Sequence, residues 1–447
     1  MHRILLKDAT LVGERILKGD LLIENDRIAK MGGTIAAPAD TEIIDCHELI
    51  ALPGLIDPHV HMREPGSPQK ATIRSESRAA VLGGVTSVME MPNTSPSTTT
   101  MERVREKQEI ASRDCVCNSA FYLGAAGDNL DDIRSADITQ VAGIKVYMGS
   151  TTGSLLVDRE EALLKTFEAA PCLIMTHCED TALINARLKD AKERYGDDLP
   201  YSLHGLIRSR EACLKSTRLA VALALETHKQ LQVAHISTRE EVALLTALAT
   251  GSVKERQISG EACLPHLFFS EAEYGRLKGY LKCNPAVKTE ADRRAIVSAV
   301  RQGVLTTIGT DHAPHEKAVK VGPYTRTASG LPAVQFLLPA LLELWSRREL
   351  TLEEIVRATS RNVAERYALK DRGLLKEGYF ADIALVNPVK SFTVTEESLA
   401  SLCRWSPFEG HTFPSAVVHT VVSGRLKVRN GSLCSDEAGQ PLYFDRV

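Results

Sequence analysis

A (β/α)8 barrel of the TIM type, carrying a smaller composite β-sandwich assembled from the two chain ends, is the fold class this sequence predicts. Three observations predict it. Eight apolar, β-rich runs alternate with amphipathic helical stretches between residues 53 and 375. Short strand patterns separated by turn signals fill residues 1–52 and return over 376–447. Metal-seeking side chains stand at the C-terminal ends of five of the central runs, the rim on which barrel enzymes keep their chemistry.

In chain order, the first part of the sandwich reads as strands near 4–6, 10–12, 20–23, 27–29, 42–44 and 49–52. Such a meander cannot close a core of its own. Runs near 381–386, 415–422 and 425–428 have the same style and supply the second part. The barrel strands are expected near 55–61, 85–91, 115–122, 142–147, 172–177, 231–235, 256–262 and 304–310. Between them lie helical patterns such as 159–167 and 238–248, and the Ser95–Thr100 stretch reads as a loop and helix cap. Periodicity alone does not separate a closed barrel from an open doubly wound sheet; the repeated strand-end ligands favour the barrel.

A chain of 447 residues exceeds one ordinary core, which suits a domain of about 250 to 330 residues plus a smaller one. Apolar residues make up 44% and charged residues 25%, and the hydrophobic runs fall short of the roughly 20 residues a membrane span needs. A formal charge of -3, with both signs interspersed, offers no basic footprint for nucleic acid, so a small-molecule partner is expected. The opening residues run into a strand pattern with no secretory signal, so a cytoplasmic compartment is expected. The ten cysteines are scattered without a CxxC pair and read as buried, reduced thiols.

The chemistry sits in a few short motifs. His59 and His61 are two residues apart on a strand, so both imidazoles face one side and can share an ion. His177 and His235 each end a short apolar run; a lone histidine there is usually a hydrogen-bonded core residue, but two in equivalent places after an HxH pair point to metal ligation. Lys145 also ends a run. A protonated ammonium cannot bind a cation, whereas a desolvated amine can take up carbon dioxide and become a carbamate whose oxygens bridge two metals; a plain salt bridge is the alternative. Asp311 closes the last run and is placed to ligate a metal and act as general acid/base toward water. Arg63, Asn93 and His315 lie near these motifs and suit a small anionic substrate. Together they describe a two-metal hydrolase.

The runs Asp57–Gly66, Gly83–Thr94, Gly309–His315 and Ser406–His411 resemble the signatures of the dihydroorotases, cyclic amidohydrolases of the amidohydrolase superfamily, and the resemblance covers nearly the whole chain. It implies a zinc enzyme of pyrimidine biosynthesis interconverting (S)-dihydroorotate and N-carbamoyl-L-aspartate. Two Zn2+ ions per chain are implied, one held by His59, His61 and Asp311, the other by His177 and His235, with carboxylated Lys145 as the bridge. It further implies that Arg63, Asn93 and His315 hold the substrate carboxylate and that Asn284 lies close to the ring. Thr151 and Thr152 resemble a threonine pair on a substrate-covering loop, and a homodimer is implied. A hydantoinase or allantoinase would share the ligands without needing the carboxylate clamp, and a scaffold relative would have lost them.

Overall fold

The computed structural model describes residues 2–13, 15–149, 155–196 and 198–446. Its centre is a parallel eight-stranded sheet whose strands pair in chain order: Leu55–Val60, Val85–Glu90, Asn118–Gly124, Val141–Tyr147, Ile174–His177, Leu231–Val233, Ile258–Cys263 and Leu305–Gly309. All eight are buried along their whole length, as strands covered on both faces must be. Every expected run overlaps one of these strands, with shifted ends. The sixth is only three residues long, which leaves His235 beyond it.

First and last strands meet through the His61 N–H, which donates to the His312 carbonyl at 2.7 Å, and the sheet becomes a nearly closed barrel. Helices return the chain outside it. Thr100 caps Met101–Asp114 and Thr238 caps Arg239–Leu248 through their side-chain oxygens, so the expected polar stretches do start helices. Under the opposite end of the barrel, Leu442 and Phe444 join Tyr122, Met175 and Tyr367 in a separate apolar cluster. Arg446 donates there to the carbonyls of Val141, Ala142 and Tyr367.

The two chain ends pair in a single nine-stranded sheet. Ile50–Pro53 runs antiparallel to Ile383–Asn387, and this contact joins the N-terminal strands to Ala416–Val422, Arg425–Arg429 and Ser432–Leu433. The two strand pieces expected near 4–6 and 10–12 are one strand, Arg3–Val12, bent by a bulge between Leu6 and Ala9 where Asp8 has φ 60°. The polar Lys7-Asp8 pair that reads as a turn is that bulge. All ten cysteines are free; Cys172 is half-buried and Cys434 exposed, the others buried. No helix of the described residues is long and apolar enough to cross a membrane.

Candidate active site

The barrel's C-terminal rim gathers most of the predicted side chains. His59 and His61 straddle the end of the first strand with ring centroids 5.5 Å apart. Asp311, two residues past the eighth strand, places Oδ1 3.1 Å from His61 Nε2 and 3.3 Å from His59 Nε2. Asp57 explains how these strands come so close. Its buried carboxylate accepts from the backbone N–H groups of His59 and Thr310 at 3.1 Å each and from the Thr310 hydroxyl at 2.5 Å. Gly309 is required beside it, because a Cβ there would lie 2.9 Å from the Glu261 carboxylate.

A second pair adjoins the first. His177 ends the fifth strand, His235 follows the sixth, and His177 Nδ1 lies 2.9 Å from His235 Nε2. The His59 and His235 ring centroids are 5.4 Å apart, which makes one cluster of the four imidazoles and Asp311. Three residues of the site carry positive φ: His235 at 37°, Asp311 at 49° and Arg63 at 64°. Each such backbone costs of order 1 kcal/mol and persists only where its surroundings enforce it.

Lys145 is fully buried on the fourth strand, and its Nζ has no hydrogen-bond partner among the described residues. Burial pushes the ammonium down to about 8, against the pull of Glu261 and Asp311. A minor neutral, nucleophilic fraction is therefore within reach near neutral pH.

The outward nitrogens of the histidines are turned onto acceptors. Glu261 lies 2.8 Å from His59 Nδ1, Asn93 Oδ1 lies 2.7 Å from His61 Nδ1, and Glu179 lies 3.1 Å from His177 Nε2. For His59 and His61 an N–H on the outward side leaves the inward nitrogen with a lone pair, whereas His177 Nε2 approaches Glu179 without hydrogen-bond geometry. Burial pushes His61 down to about 4 and lowers His177 and His235, so the rings are neutral. Imidazole nitrogens, a carboxylate and a buried amine that can lose its proton form a donor set that suits divalent cations. His59, His61 and Asp311 could hold one such ion and His177 and His235 another.

Glu261 and Glu179 were not among the expected site residues, and Asp57 had no role there. A signal existed for two of them. Glu261 is a charged residue inside an otherwise uncharged buried strand, and Glu179 stands two residues past His177. Burial raises the Glu179 pKa, but ion pairing with Arg208 and the contact with His177 outweigh it and hold the carboxyl near 2.

Arg63, Asn93, Asn284, Tyr147 and Gly330 line the cavity beside this cluster. The Arg63 side chain is buried; its Nε donates to the Pro314 carbonyl at 3.1 Å and its Nη2 lies 3.3 Å from His315 Nε2. Burial lowers the guanidinium to about 10, and its strongest attractor is Asp311, which is not within ion-pair distance. His315 reaches the site by backing Arg63. Asn284 Oδ1 and the Tyr147 hydroxyl are buried and have no partner among the described residues. Thr151 and Thr152 lie outside the described residues.

Residues 50–427 match the amidohydrolase family. The chain is 30% identical over 430 residues to dihydroorotase from Methanosphaera stadtmanae, covering 95% of this chain and 96% of that protein. It is 31% identical over 416 residues to dihydroorotase from Halobacterium salinarum, covering 92% and 93%. It is 29% identical over 420 residues to allantoinase from Bacillus velezensis, covering 93% and 91%. Among solved structures, L-hydantoinase (dihydropyrimidinase) from Arthrobacter aurescens shares the fold with a TM-score of 0.92 at 24% identity, over 99% of this chain and all of that one. A barrel with this rim cluster, matched along nearly its whole length, belongs to the amidohydrolase family and is one of its cyclic amide hydrolases.

Proposed function

We propose that this chain is a dihydroorotase, hydrolysing (S)-dihydroorotate reversibly to N-carbamoyl-L-aspartate for pyrimidine synthesis. The observation that carries the choice among cyclic amides is Arg63, a buried guanidinium on the cavity wall with no carboxylate within ion-pair distance among the described residues. Its planar fork suits a substrate carboxylate, which a hydantoin or allantoin ring lacks. His315 adjoins its Nη2, and Asn93, bonded to His61, lines the same cavity.

Two divalent ions, for which zinc suits the nitrogen-rich ligands, would supply Lewis acidity and acidify water toward neutral pH. His59, His61 and Asp311 would hold one and His177 and His235 the other. Lys145 Nζ, adding to carbon dioxide with loss of a proton, would become a carbamate whose oxygens could join in holding them. Asp311, whose carboxylate lies 3.1 Å from His61 Nε2 and 3.3 Å from His59 Nε2, takes the proton of the attacking water. It delivers that proton to the ring nitrogen as the amide C–N bond breaks. Arg63 and Asn284 fix the ring so that the carbonyl faces this water. The same reading makes the chain a cytoplasmic homodimer, with residues 1–52 and 376–447 as one unit beside the 53–375 barrel.

Turnover of dihydroorotate, hydantoin and allantoin by the zinc-loaded protein tests the substrate. Dihydroorotate should be preferred; faster hydrolysis of either uncharged ring refutes the assignment. Native mass spectrometry should find one added CO2, absent in Lys145→Met, and an unmodified wild-type chain with full zinc content overturns the bridge.

A further inference from the structure

Behind the Arg63 wall two more cations are buried without an acidic partner. Lys320, 1% exposed, donates from Nζ to the carbonyls of Lys282 at 3.1 Å, Ala328 at 2.7 Å and Gly330 at 2.8 Å, with the Trp405 ring 5.3 Å away. Lys282, 7% exposed, donates to the carbonyls of Tyr324 at 2.7 Å and Thr327 at 2.6 Å and stands 4.2 Å over the Tyr324 ring. Among the described residues no carboxylate pairs with either; the charges nearest Lys320 include Lys282 and Arg63, which repel it.

Both lysines are fastened to the substrate wall itself. Gly330 lines the cavity with Arg63 and Asn284, and its φ of 137° and the Ala313 carbonyl 2.5 Å from a built Cβ leave room for glycine alone. Lys282 stands two residues before Asn284, and its carbonyl also accepts the Gly330 N–H at 2.9 Å. Lys320 therefore ties together the two segments that carry Asn284 and Gly330.

Burying an ammonium is costly, and apolar side chains can close a loop without that cost. Burial pulls Lys320 down to about 7 and Lys282 to about 8, but the three carbonyls on Lys320 Nζ engage all three N–H donors of an ammonium. Three such groups on one wall, with no carboxylate within ion-pair distance of any of them among the described residues, leave a positive potential there that the low-dielectric surroundings screen weakly. We infer that Lys320, seconded by Lys282, is a specificity-determining residue that biases this wall toward a ring bearing a carboxylate. The inference rests on the reading of Arg63 as the carboxylate's partner and extends it to side chains that never touch the ring.

The test compares kcat/KM for dihydroorotate with kcat/KM for its neutral carboxamide, using the zinc-loaded full chain. In Lys320→Met the acid-to-amide ratio should fall by about tenfold, because only the charged substrate feels the lost field. A structural role alone would lower both values together and leave the ratio unchanged, and that result overturns the inference. Lys282→Met should shift the ratio in the same direction and serves where Lys320→Met does not fold; failure of both to fold shows the lysines to be structural and also overturns it. A wild-type enzyme that does not prefer the acid sinks the Arg63 reading, whereas a wild-type preference that survives intact in Lys320→Met sinks the lysine inference alone.

Discussion

Replacing Arg63 by methionine removes the guanidinium but keeps a side chain of similar reach in the same buried space. A carboxylate about 4 Å from that charge gains about 4 kcal/mol at an effective dielectric constant of 20. Desolvation of the incoming anion offsets part of it, leaving about 2–3 kcal/mol, or roughly 30- to 150-fold in KM. Catalysis proper should change little, since Asp311 and the four imidazoles stay in place, so kcat should hold within about threefold. The substrate-free protein provides a second readout. Wild type already bears the cost of an unpaired buried cation, so the variant should melt no lower than wild type even though the Pro314 carbonyl loses its donor. Steady-state kinetics on dihydroorotate with thermal melts of both proteins decide the matter. An unchanged KM, or a collapse of kcat accompanied by a lower Tm, would refute the carboxylate assignment.

Asp311→Asn should retain most of its zinc by elemental analysis while losing about 10²- to 10⁴-fold in turnover; near-normal activity rules out the proton transfer. Glu261→Gln should weaken zinc binding by about 10- to 100-fold in chelator competition, since His59 Nδ1–H loses its carboxylate acceptor, and unchanged affinity removes Glu261 from the site. Glu179 has a depressed folded pKa, so it adds stability above its ordinary value of 4.5 and loses it as pH falls toward 2. The urea midpoint of the metal-free wild type should accordingly drop more steeply over that window than that of Glu179→Gln, and parallel curves count against the Arg208–Glu179 pair.

Legibility followed the physics of each feature. Barrel strands were readable because strands covered on both faces need continuous apolar runs, and HxH was readable because alternation on a strand is local. Glu261 was harder. Its importance depends on a hydrogen bond to a residue 202 positions away, which no local period encodes. Lys320 ends the one-turn helix Lys317–Lys320, which carries no local signal of burial, and only the fold turns its amine inward onto three carbonyls. The strand pieces near 4–6 and 10–12 were read as two because Lys7-Asp8 imitates a turn, whereas the antiparallel partner Ile16–Glu24 runs past both.

The seam between Ile50–Pro53 and Ile383–Asn387 has a consequence during synthesis. Residues 54–382 emerge between its two halves, which at about 5–20 residues per second leaves the first half without its neighbour for roughly 15–70 s. A bare strand edge invites pairing with other chains, and Pro53 at its end withholds one N–H from any such intruder.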